Sequence, residues 1–246
     1  MESLKSRRTI RKYLEKPVSS ELLNELLEIA VRTSTTGNMQ LYSLVITRED
    51  SMKAALSPAH FNQAMVKSAP VVLTVCADFN RFNKWCILRN ATPCYDNFVS
   101  FFNAAMDALF FAQTFCVAAE GKGLGICYLG TTTYNSDKII DILALPKFVM
   151  PLITITLGYP EVIPEQPDRL PVASFVHYET YSDYKPQDID SFYAYKESLP
   201  ENHHFIAENR KETLAQVFTD VRYKKQDNEH FSKILLETLE KQGFKL

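Results

Sequence analysis

Asp96 to Glu120 is the stretch that most restricts how this chain can fold. Phe98, Phe101, Phe102, Ala105, Leu109, Phe110, Ala112, Phe115 and Ala118 recur at helical spacing, yet they cover nearly the whole circumference of a helix. A helix apolar all round cannot lie on a surface with one face in water. It must run through the interior or be covered by a second subunit. Asn103, Asp107 and Gln113 interrupt the 98–119 stretch, so no run reaches the roughly 18 apolar residues of a membrane-spanning helix.

Other elements arrange themselves around this one. The spacing of Leu22, Leu23, Leu26, Leu27, Ile29 and Val31 predicts an amphipathic helix over 18–33, capped by Ser19 or Ser20. Leu41–Thr47 and Val71–Ala77 read as strands, the second continuous enough to be central, with polar helical material between them. Gly121 to Gly125 ends the long helix. A short segment at 126–129, a helix over 136–143 and a strand over 149–157 follow, with Pro151 expected at the strand start. Pro160, Pro164, Pro167 and Pro171 punctuate a long connection. Residues 186–246 read as an arm of polar helices, the last over 228–242 with Gly243 as its stop. The class is α+β or α/β, in one domain with a C-terminal helical arm.

Charge narrows the partners. The net of −2 argues against a nucleic-acid partner, which requires a basic field. Residues 1–16 nevertheless carry six basic against two acidic side chains, and 210–246 carry eight against six. Basic ends around an acidic middle fit an anionic small molecule better than a polyanion. Five cysteines, an odd number with no metal-ligand spacing, fit a reducing cytoplasm, and no signal-peptide pattern opens the chain. These features point to a cytoplasmic protein with neither a membrane nor a nucleic-acid partner.

No phosphate-loop, dinucleotide, nucleophile-elbow or zinc-protease motif is present. The five histidines form no acid–base constellation, so the chemistry is either absent or borrowed from a cofactor. Four segments could hold one. Ser6–Arg11 offers guanidinium forks and a hydroxyl for a phosphate, or a solvated basic terminus. Thr33–Gln40 is polar and lies between a helix and a strand, as a ligand loop or an ordinary turn. Gly121–Gly130 holds four of the seven glycines, more than a helix cap and a turn need, which suggests close backbone approach. Asp168–Pro171 places Arg169 in a proline-rich loop.

Taken in order, these segments resemble the nitroreductase superfamily of FMN enzymes, in particular its NADPH-dependent nitroreductase and flavin reductase group. Arg7-Arg8-Thr9-Ile10-Arg11 is similar to the family's opening motif, and Thr35-Thr36-Gly37-Asn38-Met39-Gln40 to its S-S-x-N-x-Q segment. Gln63 stands 15 residues before Asp78, as the group's flavin-ring glutamine stands before its C-A-D. Gly123–Gly130 resembles G-L-G-x-x-Y-I-G, and Leu157–Pro160 with Arg169–Pro171 resembles L-G-x-P and R-L-P. The resemblance runs over nearly residues 1–180.

It implies an α+β sandwich, a mixed sheet with helices on both sides, in an intertwined homodimer. The implied activity is transfer of a hydride from NADPH or NADH to FMN, then of two electrons to a nitroaromatic, quinone or free flavin in a ping-pong cycle. Arg7, Arg8, Thr9 and Arg169 would hold the FMN phosphate. Arg11 would reach the N1/C2 edge and Gln63 the pyrimidine side. Thr35, Thr36, Gly37 and Asn38 would approach the flavin of the other subunit, with Tyr128, Leu129, Gly130 and Thr131 along its far face. Arg210, in the basic stretch of the arm, would select the nicotinamide. Pro167 replaces the family's usual lysine, Thr131 a common second glycine, and 200–227 match poorly. The alternatives are a non-catalytic protein binding a phosphorylated ligand, or a same-fold enzyme that destroys flavin or removes halogen.

Overall fold

The computed structural model describes residues 2–246, with side chains from Leu4 onward. Its elements run α1 (Glu2–Lys5), α2 (Ser20–Ala30), β1 (Tyr42–Thr47), α3 (Asp50–Leu56), α4 (Ala64–Ser68), β2 (Val71–Asp78) and α5 (Asn80–Leu88). Then come α6 (Phe98–Gly121), β3 (Gly125–Leu129), α7 (Thr131–Tyr134), α8 (Ser136–Leu143) and β4 (Val149–Gly158). The rest is helical: α9 (Pro186–Ser198), α10 (Pro200–Glu208), α11 (Leu214–Val217) and α12 (Lys225–Gln242).

Two compact units divide the chain, residues 1–165 with 231–246, and residues 166–230. In the first, the four strands pair in the order β1-β2-β4-β3. All three pairings are antiparallel, so within one chain the sheet is antiparallel, where the resemblance implied a mixed one. β2 sits between two partners and is buried along its whole length, in keeping with a mostly apolar sequence broken only by Thr74 and the terminal Asp78.

Helices cover both faces of this sheet. Val71, Leu73, Val75 and Ala77 pack into one core with Phe111, Phe115 and Cys116 of α6. Val72, Cys127 and Leu129 point the other way, into a second core with Leu56, Met65, Val66 and Ile139. The pleat thus sends alternate side chains to two separate helical layers.

Ser19 caps α2 through Leu22 N, and Asn97 caps α6 through Ser100 N. Pro151 is the third residue of β4 rather than its first. It sits at a register shift, where Val75 faces Ile153 but Cys76 faces Pro151. The bulge absorbs the N–H that proline cannot offer to the ladder.

Among the described residues, α6 is the one helix long and apolar enough to cross a membrane by length and composition. Here it is the central core helix, with Phe111, Ala112, Phe115, Cys116 and Ala119 buried. The C-terminal segment also joins this unit, since Leu239 and Phe244 belong to the α6 core.

The second unit holds α9, α10 and α11. Leu214 and Val217 are its buried apolar anchors, and Lys196 pairs with Asp168 at 2.7 Å.

Candidate functional site

The N-terminal segment is laid along the sheet by backbone contacts. Ile10 N–H donates to Ile126 O at 3.0 Å, Leu14 N–H to Tyr159 O at 2.9 Å, and Glu161 N–H to Lys12 O at 3.1 Å. The buried Tyr13 hydroxyl lies 2.7 Å from both Ile10 O and Thr156 Oγ1, so it donates to the carbonyl and accepts from the threonine. Two glycines admit this segment. A Cβ on Gly125 would lie 2.5 Å from Ile10 Cγ1, and one on Gly158 would lie 2.6 Å from Pro70 Cδ and 2.9 Å from Tyr13 Cδ1. The close approach expected of the glycine cluster is therefore real at Gly125. Gly123, at φ +78°, makes the left-handed turn after α6.

Threading the segment this way sets Arg7 and Arg8 on the wall of a cavity of about 190 Å³. Ser6, Glu120, Gly123 and Gly125 share the lining. Arg7 Nε meets Glu120 Oε1 at 3.4 Å, while Arg8 donates to Ser6 O at 2.9 Å. Burial raises the Glu120 carboxyl above its ordinary range, and the Arg7 guanidinium opposes that shift. Arg8 Nε is buried with no hydrogen-bond partner. An orphaned guanidinium N–H beside a cavity calls for an anionic oxygen, so these residues fit a phosphate group.

Thr9 is half-buried in the same segment. Arg11 is exposed and lies against the Cys127 thiol. Tyr128 donates from its hydroxyl to Gln113 Oε1 at 3.2 Å, and Leu129 is buried in the second core. Gly130 has open space where a Cβ would stand. Thr131 begins α7, with its Oγ1 2.8 Å from Nδ1 of the buried His60. Gln63 opens α4, and its N–H donates to His60 O at 3.1 Å. His60 thus links two segments that sequence reasoning had kept apart.

Of the Thr35 to Asn38 segment, Gly37 and Asn38 line a different cavity, of about 370 Å³, with Met39, Arg81, Phe82 and Trp85. Gly37, Asn38 and Gln40 are all left-handed, at φ 56°, 57° and 48°. A buried carboxylate holds the turn. Asp107 of α6 accepts from Thr36 N at 2.8 Å and from Leu41 N at 3.2 Å. Arg81 adds a bond to Gln40 O. Sequence reasoning registered Asp107 only as a break in an apolar run. An acid in an otherwise apolar core helix is itself a signal that two or more buried donors need it.

Arg169 and Arg210 both lie in the second unit. Arg169 is exposed and donates to Asp168 O at 2.7 Å, and Arg210 is exposed in a left-handed conformation at φ 53°.

With this geometry in place, relatives decide the family. The description "Nitroreductase family" matches residues 4–159. The chain belongs to the nitroreductase family. Among solved structures, a chain from Bacteroides fragilis, provisionally called an oxidoreductase, is 62% identical with a TM-score of 0.98 over 99% of both chains. The oxygen-insensitive NADPH nitroreductase of Salmonella typhimurium is 29% identical, over 99% of this chain and 97% of that protein. The NAD(P)H-dependent FMN reductase of Bacillus subtilis is 28% identical, over 100% and 98%. The family match covers Arg7–Arg11, Thr35–Asn38, Gln63 and Tyr128–Thr131, and stops before Arg169 and Arg210.

Proposed function

We propose that this member of the nitroreductase family is an FMN-dependent oxidoreductase. It takes electrons from NAD(P)H and delivers them to nitroaromatic, quinone or free-flavin acceptors in two alternating half-reactions. The observation that carries this reading is the cavity at Arg7 and Arg8, where a buried guanidinium N–H faces no protein acceptor. FMN, when bound, supplies the hydride and two-electron chemistry.

The chain's own residues do the holding. Arg7 and Arg8 grip the phosphate, with Thr9 in the same segment and Arg169 as a further cation. Arg11 places positive charge beside the ring edge, where it favours the anionic reduced cofactor. Gln63 and the Tyr128–Thr131 segment orient the ring. Arg210 is the proposed contact to the 2′-phosphate of NADPH.

Assembly follows from α6. Phe98, Val99, Phe102, Leu109 and Phe110 leave about half or more of their surface in water. A patch of this kind on a core helix fits a subunit interface. The proposed homodimer buries it and brings Thr35 to Asn38 to the partner's flavin. Light scattering should then give about twice 28.1 kDa. Five free thiols suit a cytoplasmic location.

Purified protein should be yellow and hold one FMN per chain. Turnover against a panel of acceptors, with NADPH and NADH compared, tests the activity. Arg210→Ala should raise the Michaelis constant for NADPH far more than for NADH. A colourless protein that takes up no FMN, with or without a bound phosphorylated ligand, contradicts the reading.

A further inference from the structure

His60 has no assigned role, yet its surroundings are unusual. The ring is wholly buried. Nδ1 lies 2.8 Å from Thr131 Oγ1, whereas Nε2 is buried with no partner. Burial pushes the imidazole down to about 4, so it is neutral across the physiological range.

A neutral imidazole carries one N–H, and its position here follows from cost. A proton on Nε2 would leave a buried donor with no acceptor, which folded proteins rarely tolerate. A bare Nε2 lone pair is the smaller penalty. The proton therefore sits on Nδ1 and is donated to Thr131 Oγ1. That bond uses one acceptor site of the threonine and leaves its own O–H to be donated elsewhere. No protein acceptor for that hydroxyl is found among the described residues.

The backbone of His60 works on the other segment. Its carbonyl receives Gln63 N–H at 3.1 Å, directly after Phe61 and Asn62, both left-handed at φ 52° and 56°. Two consecutive bulky or polar residues in that region store strain, which the surroundings must hold in place. Asn135, 76 positions along the chain from Ala59, anchors that preceding residue by donating from Nδ2 to Ala59 O at 2.9 Å. The turn is thus fixed from both sides.

We infer that His60 is a positioning residue that locks Gln63 and Thr131 into one frame and commits the Thr131 hydroxyl to donate toward the bound flavin ring. This deepens the proposed function and rests on it. On this reading the Thr131 hydroxyl is a fixed donor, oriented from behind by a histidine.

The test is FMN binding by the refolded holo-protein and its variants, read by flavin fluorescence and by the visible absorption spectrum of the bound cofactor. Thr131→Val, which removes only the hydroxyl, and His60→Leu should each weaken FMN binding about tenfold, the size of one buried hydrogen bond. Both should shift the flavin spectrum in the same direction. His60→Asn places an amide N–H where Nδ1 stands, and with Thr131→Ser it should remain within about twofold of the parent. The double variant His60→Leu/Thr131→Val should bind no worse than either single one, because both remove the same interaction.

If His60→Leu lowers only the melting temperature and leaves FMN affinity and spectrum unchanged, the residue is structural and the inference falls. Independent, additive losses also overturn it. Should His60→Leu fail to fold, Thr131→Val against Thr131→Ser carries the same decision. A parent protein that takes up no FMN at all overturns the proposed function, and this inference with it.

Discussion

Arg7 and Glu120 stand 3.4 Å apart on the wall of the N-terminal cavity, and Glu120 is the more buried of the two. A carboxylate in this place competes with any bound phosphate for the same guanidinium. Arg7→Ala should weaken FMN binding by roughly 1.5–3 kcal/mol, the range for a hydrogen bond to a charged group. Glu120→Gln should instead tighten it severalfold, because a neutral amide no longer opposes the anion. Equilibrium dialysis of both variants decides the matter. Weaker binding by Glu120→Gln would show that the carboxylate serves to hold Arg7 in place.

Asp107 is the counterpart on the other loop. Removing it by Asp107→Ala strips the acceptor from Thr36 N–H and Leu41 N–H, in a loop that already carries three left-handed residues. The cost should be about 2–4 kcal/mol in urea unfolding, with Asp107→Asn intermediate because it keeps one acceptor oxygen. An Asp107→Ala midpoint equal to the parent's would mean that water replaces the carboxylate freely.

Gly125 and Gly123 should separate two uses of glycine. Gly125→Ala drives a Cβ to 2.5 Å from Ile10 Cγ1 and must push the N-terminal segment off β3. Overpacking of this kind costs roughly 1–3 kcal/mol, and it should also lower FMN affinity by moving Arg7 and Arg8. Ile10→Ala should not rescue it, since the Ile10 Cβ itself would lie 2.6 Å away. Gly123→Ala meets no protein atom and pays for its positive φ, about 1 kcal/mol in stability, without displacing Ile10.

His60 gives stability a pH dependence of known sign. Its folded value of about 4 lies below the ordinary value of about 6.5, so the folded state binds fewer protons. Its contribution is complete above pH ~6.5 and is lost as pH falls toward 4, by roughly 3 kcal/mol in all. Urea midpoints measured across that window should fall steeply for the parent and much less for His60→Asn. Parallel curves would place the buried proton elsewhere.

Much of this was legible in the chain, for identifiable reasons. Caps and periodicity are local, so the Ser19 cap, the span of α8 and the Gly243 stop follow from neighbouring residues. β2 was legible because an apolar run buried on both faces has few other uses. The N-terminal arginines were legible as a cluster of guanidinium groups because they lie close together in the sequence, and the structure sets Arg7 and Arg8 on one cavity wall. The bulge that admits Pro151 was not, because it depends on the register of a distant strand. α5 was not, because Asn80–Leu88 has only a weak apolar stripe. Glu120, Asp107 and His60 escaped for one shared reason. Each acts on a residue far along the chain, as His60 does on Thr131, 71 positions away, and no local pattern records that contact.

The most direct measurement is anaerobic addition of NADPH to the yellow holo-protein, followed in the visible flavin band. One equivalent of NADPH per bound FMN should bleach the band. A nitroaromatic or quinone added after the nicotinamide is removed should restore it, without a further equivalent. A band that stays unbleached by both NADPH and NADH would contradict the account, leaving a protein that holds FMN but does not reduce it.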